Sequence, residues 1–202
     1  MKVLKKSPSG IPLLAEALRS GRLICAPTDT LYGVLGTALD SEAVSKVYRL
    51  KGRSPAKPLI VLFDCVESIE RYGVDIPQRF KEGLARLYPA PVTVVLPLKK
   101  DSPFRAVFSR TDIAVRVPDD PFLRTLIART SPLFAPSANP EGEKPAESCE
   151  DCLAYFGSEL AWCVEGKPVY GKPSTLVSLL SEQPRLLRSG AVDFSAVVEV
   201  LT

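Results

Sequence analysis

Residues 41–63 read SEAVSKVYRLKGRSPAKPLIVLF, and two different apolar periods lie within that one stretch. Asp40 or Ser41 can cap a helix, and Val44, Val47 and Leu50 then share a face at helical spacing. A glycine and two prolines break the next segment, KGRSPAKP. The run PLIVLF at 58–63 is short, apolar and β-branched, as a buried strand is. Helix, irregular polar loop and buried strand in succession are the unit from which α/β folds are made.

The same alternation extends in both directions. GIPLLAEALRS, around 10–20, has helical spacing and stops at Gly21, and Arg22 to Pro27 read as a buried strand. A helix is predicted at about 78–88, with Phe80, Leu84 and Leu87 on one stripe. VTVVLPL (92–98) and IAVRV (113–117) are strands flanking a polar loop. A helix near 120–129 leads to a short strand in LFAPSA, and a second polar loop leads to a helix at 147–156. AWCVE, STLVSLL and PRLLR are strands, and DFSAVVEVL is a closing helix. No repeat, linker or composition break interrupts residues 1–202, so a single α/β domain is expected. Short connections between the late strands predict a mixed sheet.

Composition narrows the chemistry. The net charge of +3 is too small to identify a nucleic-acid binder, although it is compatible with a local basic pocket. No apolar run is long enough to span a bilayer, and no signal-peptide pattern follows the basic N-terminus, so a cytoplasmic protein is expected. The 202 residues include no histidine. That removes Ser-His-Asp and Cys-His catalysis and every imidazole-ligated metal. Five scattered cysteines argue against a secreted disulfide framework. Cys149 and Cys152 form a CxxC with no second CxxC after it, and half a zinc site points to two reduced thiols and no resident metal. Gly166 to Lys172 (GKPVYGK) has Walker A spacing. Pro173 replaces the hydroxyl residue that should follow, and the next segment is strand-like, so it reads as a coincidence.

Several polar constellations sit at strand ends. Pro27 to Gly33 (PTDTLYG) groups two threonines, a carboxylate and a phenol after a buried strand. This is either a ligand site or a turn in which Thr28 and Asp29 cap the next element. Lys51, Arg53 and Lys57 place three cations within seven positions, suited to a polyanion, although helix-dipole complementation accounts for Lys51 as well. Arg116 lies inside IAVRVP on the same face as Ala114, either solvated or anchoring a carboxylate. Ala135 to Gly142 (APSANPEG) and Ser174-Thr175, with Arg188 further on, complete the set.

In order and spacing these segments resemble the YrdC family, the threonylcarbamoyl-adenylate synthases. PTDTLYG is similar to P-T-[ED]-[TS]-x-[YF]-G, KGRSPAKPL to K-x-R-x-x-[KN]-P-L, and YPAPVTVVLP to the P-G-P-[LV]-T segment with Ala90 in place of Gly. IAVRVPDDP, APSANPEG, PSTLV and RLLRSG follow in family order, from about residue 10 to 191. Leu62 stands where many relatives have the histidine of PLIVH. The extension that long relatives carry is missing, so a short single-domain form is expected.

The resemblance implies a twisted mixed sheet with helices packed around it and a concave basic cleft. It implies synthesis of L-threonylcarbamoyladenylate from L-threonine, bicarbonate and ATP, with Mg²⁺ accompanying the nucleotide. The product would pass to a tRNA threonylcarbamoyltransferase. Lys51 and Arg53 would be catalytic, with Lys51 near the carbamate and α-phosphate. Thr30, Arg116, Ala135 and Ser174 would hold threonine, and Arg53, Lys57, Ser137, Pro145 and Arg188 would contact ATP. Tyr32, Asn139 and Thr175 would line the pocket. Two other readings are a YciO-like relative acting on another carbamoyl-adenylate and a protein that binds tRNA or double-stranded RNA in the same concavity.

Overall fold

The computed structural model describes residues 1–166 and 172–202. Ten strands run in chain order: β1 Lys2–Lys5, β2 Leu23–Pro27, β3 Tyr32–Thr37, β4 Ile60–Leu62, β5 Val92–Pro97, β6 Asp112–Arg116, β7 Leu133–Phe134, β8 Leu160–Glu165, β9 Thr175–Ser178 and β10 Arg185–Arg188. Eight helices accompany them: α1 Ile11–Arg19, α2 Ser41–Lys51, α3 Val66–Arg71, α4 Lys81–Leu87, α5 Pro103–Phe108, α6 Pro121–Ala128, α7 Cys149–Phe156 and α8 Phe194–Leu201. No helix among the described residues is long and apolar enough to cross a membrane.

The strands form one mixed sheet in the order β1-β8-β2-β3-β7-β4-β6-β5-β9-β10. The mixed character is as expected, although the short connections explain only part of it. β9 and β10 are antiparallel neighbours, whereas β8 and β9 lie at opposite ends of the sheet. Alternate side chains of β2 enter different cores, as the two-residue period of a strand requires. Ile24 and Ala26 join α1 and α6 on one face, while Leu23 and Cys25 join the larger core formed with α2, α4, α7 and α8. Each large apolar side chain buried in this way contributes about 1.5–3 kcal/mol.

Coverage of the first face is incomplete, and that positions the site. The core under α1 and α6 draws on β8, β2, β3, β7 and β4. Leu62 on β4 pairs with Arg116 on β6, so the two share that face. Val115, the next residue along, points into the other core. Arg116 therefore stands on the face with Ala114, as alternation predicts, just beyond the apolar cover.

Four elements are not foreseen by periodicity. β1 is a short edge strand with mostly exposed residues, α3 and α5 have six residues each, and α5 occupies the supposed polar loop. β3 begins inside the PTDTLYG motif and contains two glycines, so it lacks a clean strand pattern. The Walker-like segment lies mainly outside the described residues, but β9 follows it, where a phosphate loop requires a helix. The expectation of unpaired thiols is corrected: Cys149 on α7 and Cys163 on β8 form a disulfide. The two are 14 residues apart, and no local spacing reveals that a helix start will pack on that strand.

Gly36 on β3 crosses close under its neighbours. A Cβ there would lie 2.3 Å from Phe134 Cζ and 2.7 Å from Leu23 Cδ2, both fully buried. Gly36→Ala should gain roughly 0.5–1 kcal/mol of chain entropy but lose about 1–3 kcal/mol to overpacking. A lower urea midpoint with unchanged slope is expected; an unchanged or raised midpoint would contradict the close crossing.

Candidate functional site

β2 and β3 pair antiparallel and are joined by the tight turn Thr28–Leu31. Thr28 organises it: its Oγ1 accepts from the backbone N–H groups of Thr30 and Leu31 and donates to the Leu31 carbonyl at 2.8 Å. The turn reading and the ligand reading of PTDTLYG therefore both apply, because the turn aims side chains at β6. Arg116 is 3% exposed and donates to Thr30 Oγ1 at 3.0 Å and Thr28 Oγ1 at 3.4 Å. Asp29 Oδ1 lies 3.2 Å from its Nη2. Burial pulls the guanidinium below its ordinary value, against the opposing pull of Asp29. Burial likewise raises the Asp29 carboxyl, and Arg116 only partly offsets this. Each charge is the condition for keeping the other in so dry a place.

These groups border a cavity of about 420 Å³. Its wall includes Thr28, Thr30, Tyr32, Arg53, Arg116, Ala135, Ser137, Pro145, Ser174 and Arg188. Nine of the side chains expected from sequence are thus gathered from six separate segments. β7 brings in Ala135, whose N–H donates to the Ile60 carbonyl, and the chain continues along β3 through a Gly33–Ser137 bridge. Ser174 Oγ shares a 2.7 Å hydrogen bond with Thr93, and Arg188 donates to the Ser174 carbonyl at 2.9 Å. Desolvation lowers the Arg188 guanidinium, with further repulsion from Arg116 and Arg53. Three guanidinium groups on one wall make it a place where an anion is favoured.

Four expected residues stand off this wall. Lys51 is 2% exposed and its ammonium is held by the carbonyls of Ser137 and Asn139, so it ties the wall loop to the end of α2. Burial, then Arg53, bring it down from 10.5 to about 8. Lys57 lies at the rim, paired with Glu141. Asn139 spends its amide on Pro140 and Glu143 carbonyls, and the Thr175 hydroxyl bridges to the backbone of Val192. Leu62 is wholly buried under α1 and α6 and is not part of the cavity wall.

Sequence reasoning missed two partners, Asp29 for Arg116 and Glu141 for Arg53. Glu141 meets Arg53 Nη1 at 3.2 Å. Gly52 makes that approach feasible. It ends α2 in the left-handed region (φ 61°), and the Arg53 N–H reaches back to the Tyr48 carbonyl. Among the described residues the wall carries no carboxylate. Its donor set thus does not suit a resident Mg²⁺, which prefers carboxylate and water oxygens.

The family model described as telomere recombination, for Sua5, YciO and YrdC proteins, matches residues 16–190. Threonylcarbamoyl-AMP synthase of Bacillus subtilis is 32% identical over 197 residues, 94% of this chain and 57% of that protein. The synthase of Chromohalobacter salexigens is 35% identical over 168 residues, 82% of this chain and 90% of that protein. The chain thus spans little more than half the length of its Bacillus relative. The structure of Pyrococcus abyssi Sua5 complexed with L-threonine matches with a TM-score of 0.88 at 30% identity, over 99% of this chain and 59% of that one. Escherichia coli YciO shares the fold at a TM-score of 0.84 and 19% identity, over 100% of this chain and 97% of that one. With its motifs in order, its sheet superimposable and the family model matching most of its length, the chain belongs to the Sua5/YciO/YrdC family.

Proposed function

We propose that this protein makes L-threonylcarbamoyladenylate from L-threonine, bicarbonate or carbon dioxide, and ATP, releasing pyrophosphate. One observation carries the reading. A buried, hydroxyl-lined arginine fit for a carboxylate opens into the same cavity as two further arginines fit for phosphate. The relatives named threonylcarbamoyl-AMP synthase, and the threonine complex of the Pyrococcus protein, support the same assignment. The product would serve the threonylcarbamoyladenosine modification of tRNA.

The chemistry suits these residues. Threonine's amine takes up carbon dioxide and loses a proton, giving a carbamate. A carbamate oxygen then attacks the α-phosphorus, and the bond to the β-phosphate oxygen breaks, its electron pair leaving with pyrophosphate. Negative charge gathers on nucleophile, transferring phosphorus and leaving group, where fixed cations act most strongly. Arg116 and Thr30 orient threonine, with Ala135 and Ser174 beside it. Arg53, Ser137, Pro145 and Arg188 receive the nucleotide, and Lys57 joins from the rim. Lys51 would act from behind the wall, either through the loop it holds or by turning its ammonium inward. Mg²⁺ would arrive on the phosphates rather than on protein carboxylates.

Incubation with ATP, threonine and labelled bicarbonate should give labelled adenylate and pyrophosphate in equal amounts. Pyrophosphate only with another amino acid or carbamoyl donor would reassign the substrate, as a YciO-like reading requires.

Arg116→Lys keeps the charge but loses the fork. Loss of a desolvated bidentate contact worth about 2–4 kcal/mol should raise the threonine requirement roughly 30- to 1,000-fold, with ATP affinity little changed. Threoninamide should not replace threonine in the wild type. If both affinities fall together, Arg116 serves phosphate or the fold.

Lys51 gives a pH test. Between about 8 and its ordinary 10.5 the unfolded chain holds the proton and the folded chain has lost it. Fold stability should therefore rise with pH across that window, while function that needs the ammonium declines. Lys51→Arg should remove the decline in kcat/KM above about 8, and Lys51→Ala should abolish adenylate formation with the fold intact. A decline that persists unchanged in Lys51→Arg would assign it to another group.

A further inference from the structure

Four of the five cysteines converge from three parts of the chain. Cys25 lies on β2, Cys149 and Cys152 in the first turns of α7, and Cys163 on β8. The sulfurs of Cys25, Cys152 and Cys163 all lie within 4.8 Å of one another and are fully buried, and Cys149 is bonded to Cys163. Cys65, at the start of α3, is elsewhere. The CxxC that lacked a partner in the sequence therefore meets its other half in the fold.

We propose that Cys25, Cys149, Cys152 and Cys163, when all are reduced, form a tetrathiolate site for a zinc ion. Tetrahedral zinc with sulfur at about 2.3 Å needs sulfurs roughly 3.8 Å apart, and three of the four already lie within 4.8 Å of one another. Positions 149 and 152 share one helix face, so two ligands come from one turn. The two strands supply the others. Cys149 also borders a cleft of about 230 Å³, along with Glu147, Glu150 and Glu165, which gives a cation an acidic way in.

The site has a structural consequence. β2 runs directly into the Thr28–Leu31 turn, and α7 follows the segment that carries Ser137 and Pro145. A metal holding both would fix two walls of the 420 Å³ cavity relative to each other.

Disulfide and metal are mutually exclusive for Cys149 and Cys163. A phosphine reductant supplies the two electrons that cleave the disulfide, becoming a phosphine oxide with oxygen from water. Zinc then displaces the four thiol protons to solvent. The test uses the whole protein, treated with phosphine under argon and freed of excess reagent. Metal analysis after adding zinc should find one ion per chain. Cobalt in its place should show thiolate charge transfer and the intense visible bands of a tetrahedral sulfur site. Zinc should raise the melting temperature. Cys25→Ser and Cys152→Ser should weaken the cobalt bands, and Cys65→Ser should leave them unchanged. Reduced wild type that is folded by circular dichroism yet takes up neither metal would overturn the proposal. So would cobalt bands indifferent to Cys25→Ser and Cys152→Ser. None of these readouts depends on adenylate formation, so the two proposals stand or fall separately.

Discussion

A guanidinium almost wholly out of water, at the end of an otherwise apolar strand, cannot stand without partners, and much of the molecule is arranged to give Arg116 its own. Removing one member of a buried pair costs on the order of 3–5 kcal/mol, because the survivor's charge is left uncompensated. The partners come from a turn more than 80 residues earlier in the chain. The sheet order brings β3, β7, β4 and β6 side by side, so that turn and strand end can meet. Where α1 and α6 cover the face, it is apolar; where their cover stops, it turns polar. The cavity follows from that boundary.

Two carboxylates hold places around the cavity under different conditions. The Asp29 side chain is 5% exposed and faces a guanidinium as dry as itself, so separating them requires a replacement anion of comparable fit. Glu141 is at the surface with Arg53 and Lys57, where ion pairs are screened by water, contribute little and exchange freely. An incoming polyanion can take over the Arg53 contact at little cost. A carboxylate approaching Arg116 must add to an existing arrangement, which makes that end of the cavity the more selective one.

Much of this was legible in the sequence. The helix–loop–strand alternation gives the fold class, and the motifs name most of the cavity wall, because both are local signals. Asp29 and Glu141 were visible as residues of those motifs, but not as partners of Arg116 and Arg53. Pairings between residues more than 80 positions apart carry no period and no spacing. β3 is hidden by its glycines, and nothing local shows that the Lys51 ammonium meets the carbonyls of Ser137 and Asn139. The family motif records that a lysine is present there, not which way it turns.

The cysteines show the same limit from the other side. A CxxC without a second CxxC is half a site only if ligands must come from nearby sequence. In a ten-stranded sheet whose order departs so far from chain order, β2 and β8 are neighbours although more than 130 residues separate their starts. A helix packed over that pair can therefore complete a cluster that no spacing rule would collect. The strand order that delivers the Thr28–Leu31 turn to Arg116 also sets Cys25 beside Cys163. The polar cavity and the sulfur cluster are thus two consequences of one topology, joined through the two residues that separate Cys25 from Thr28.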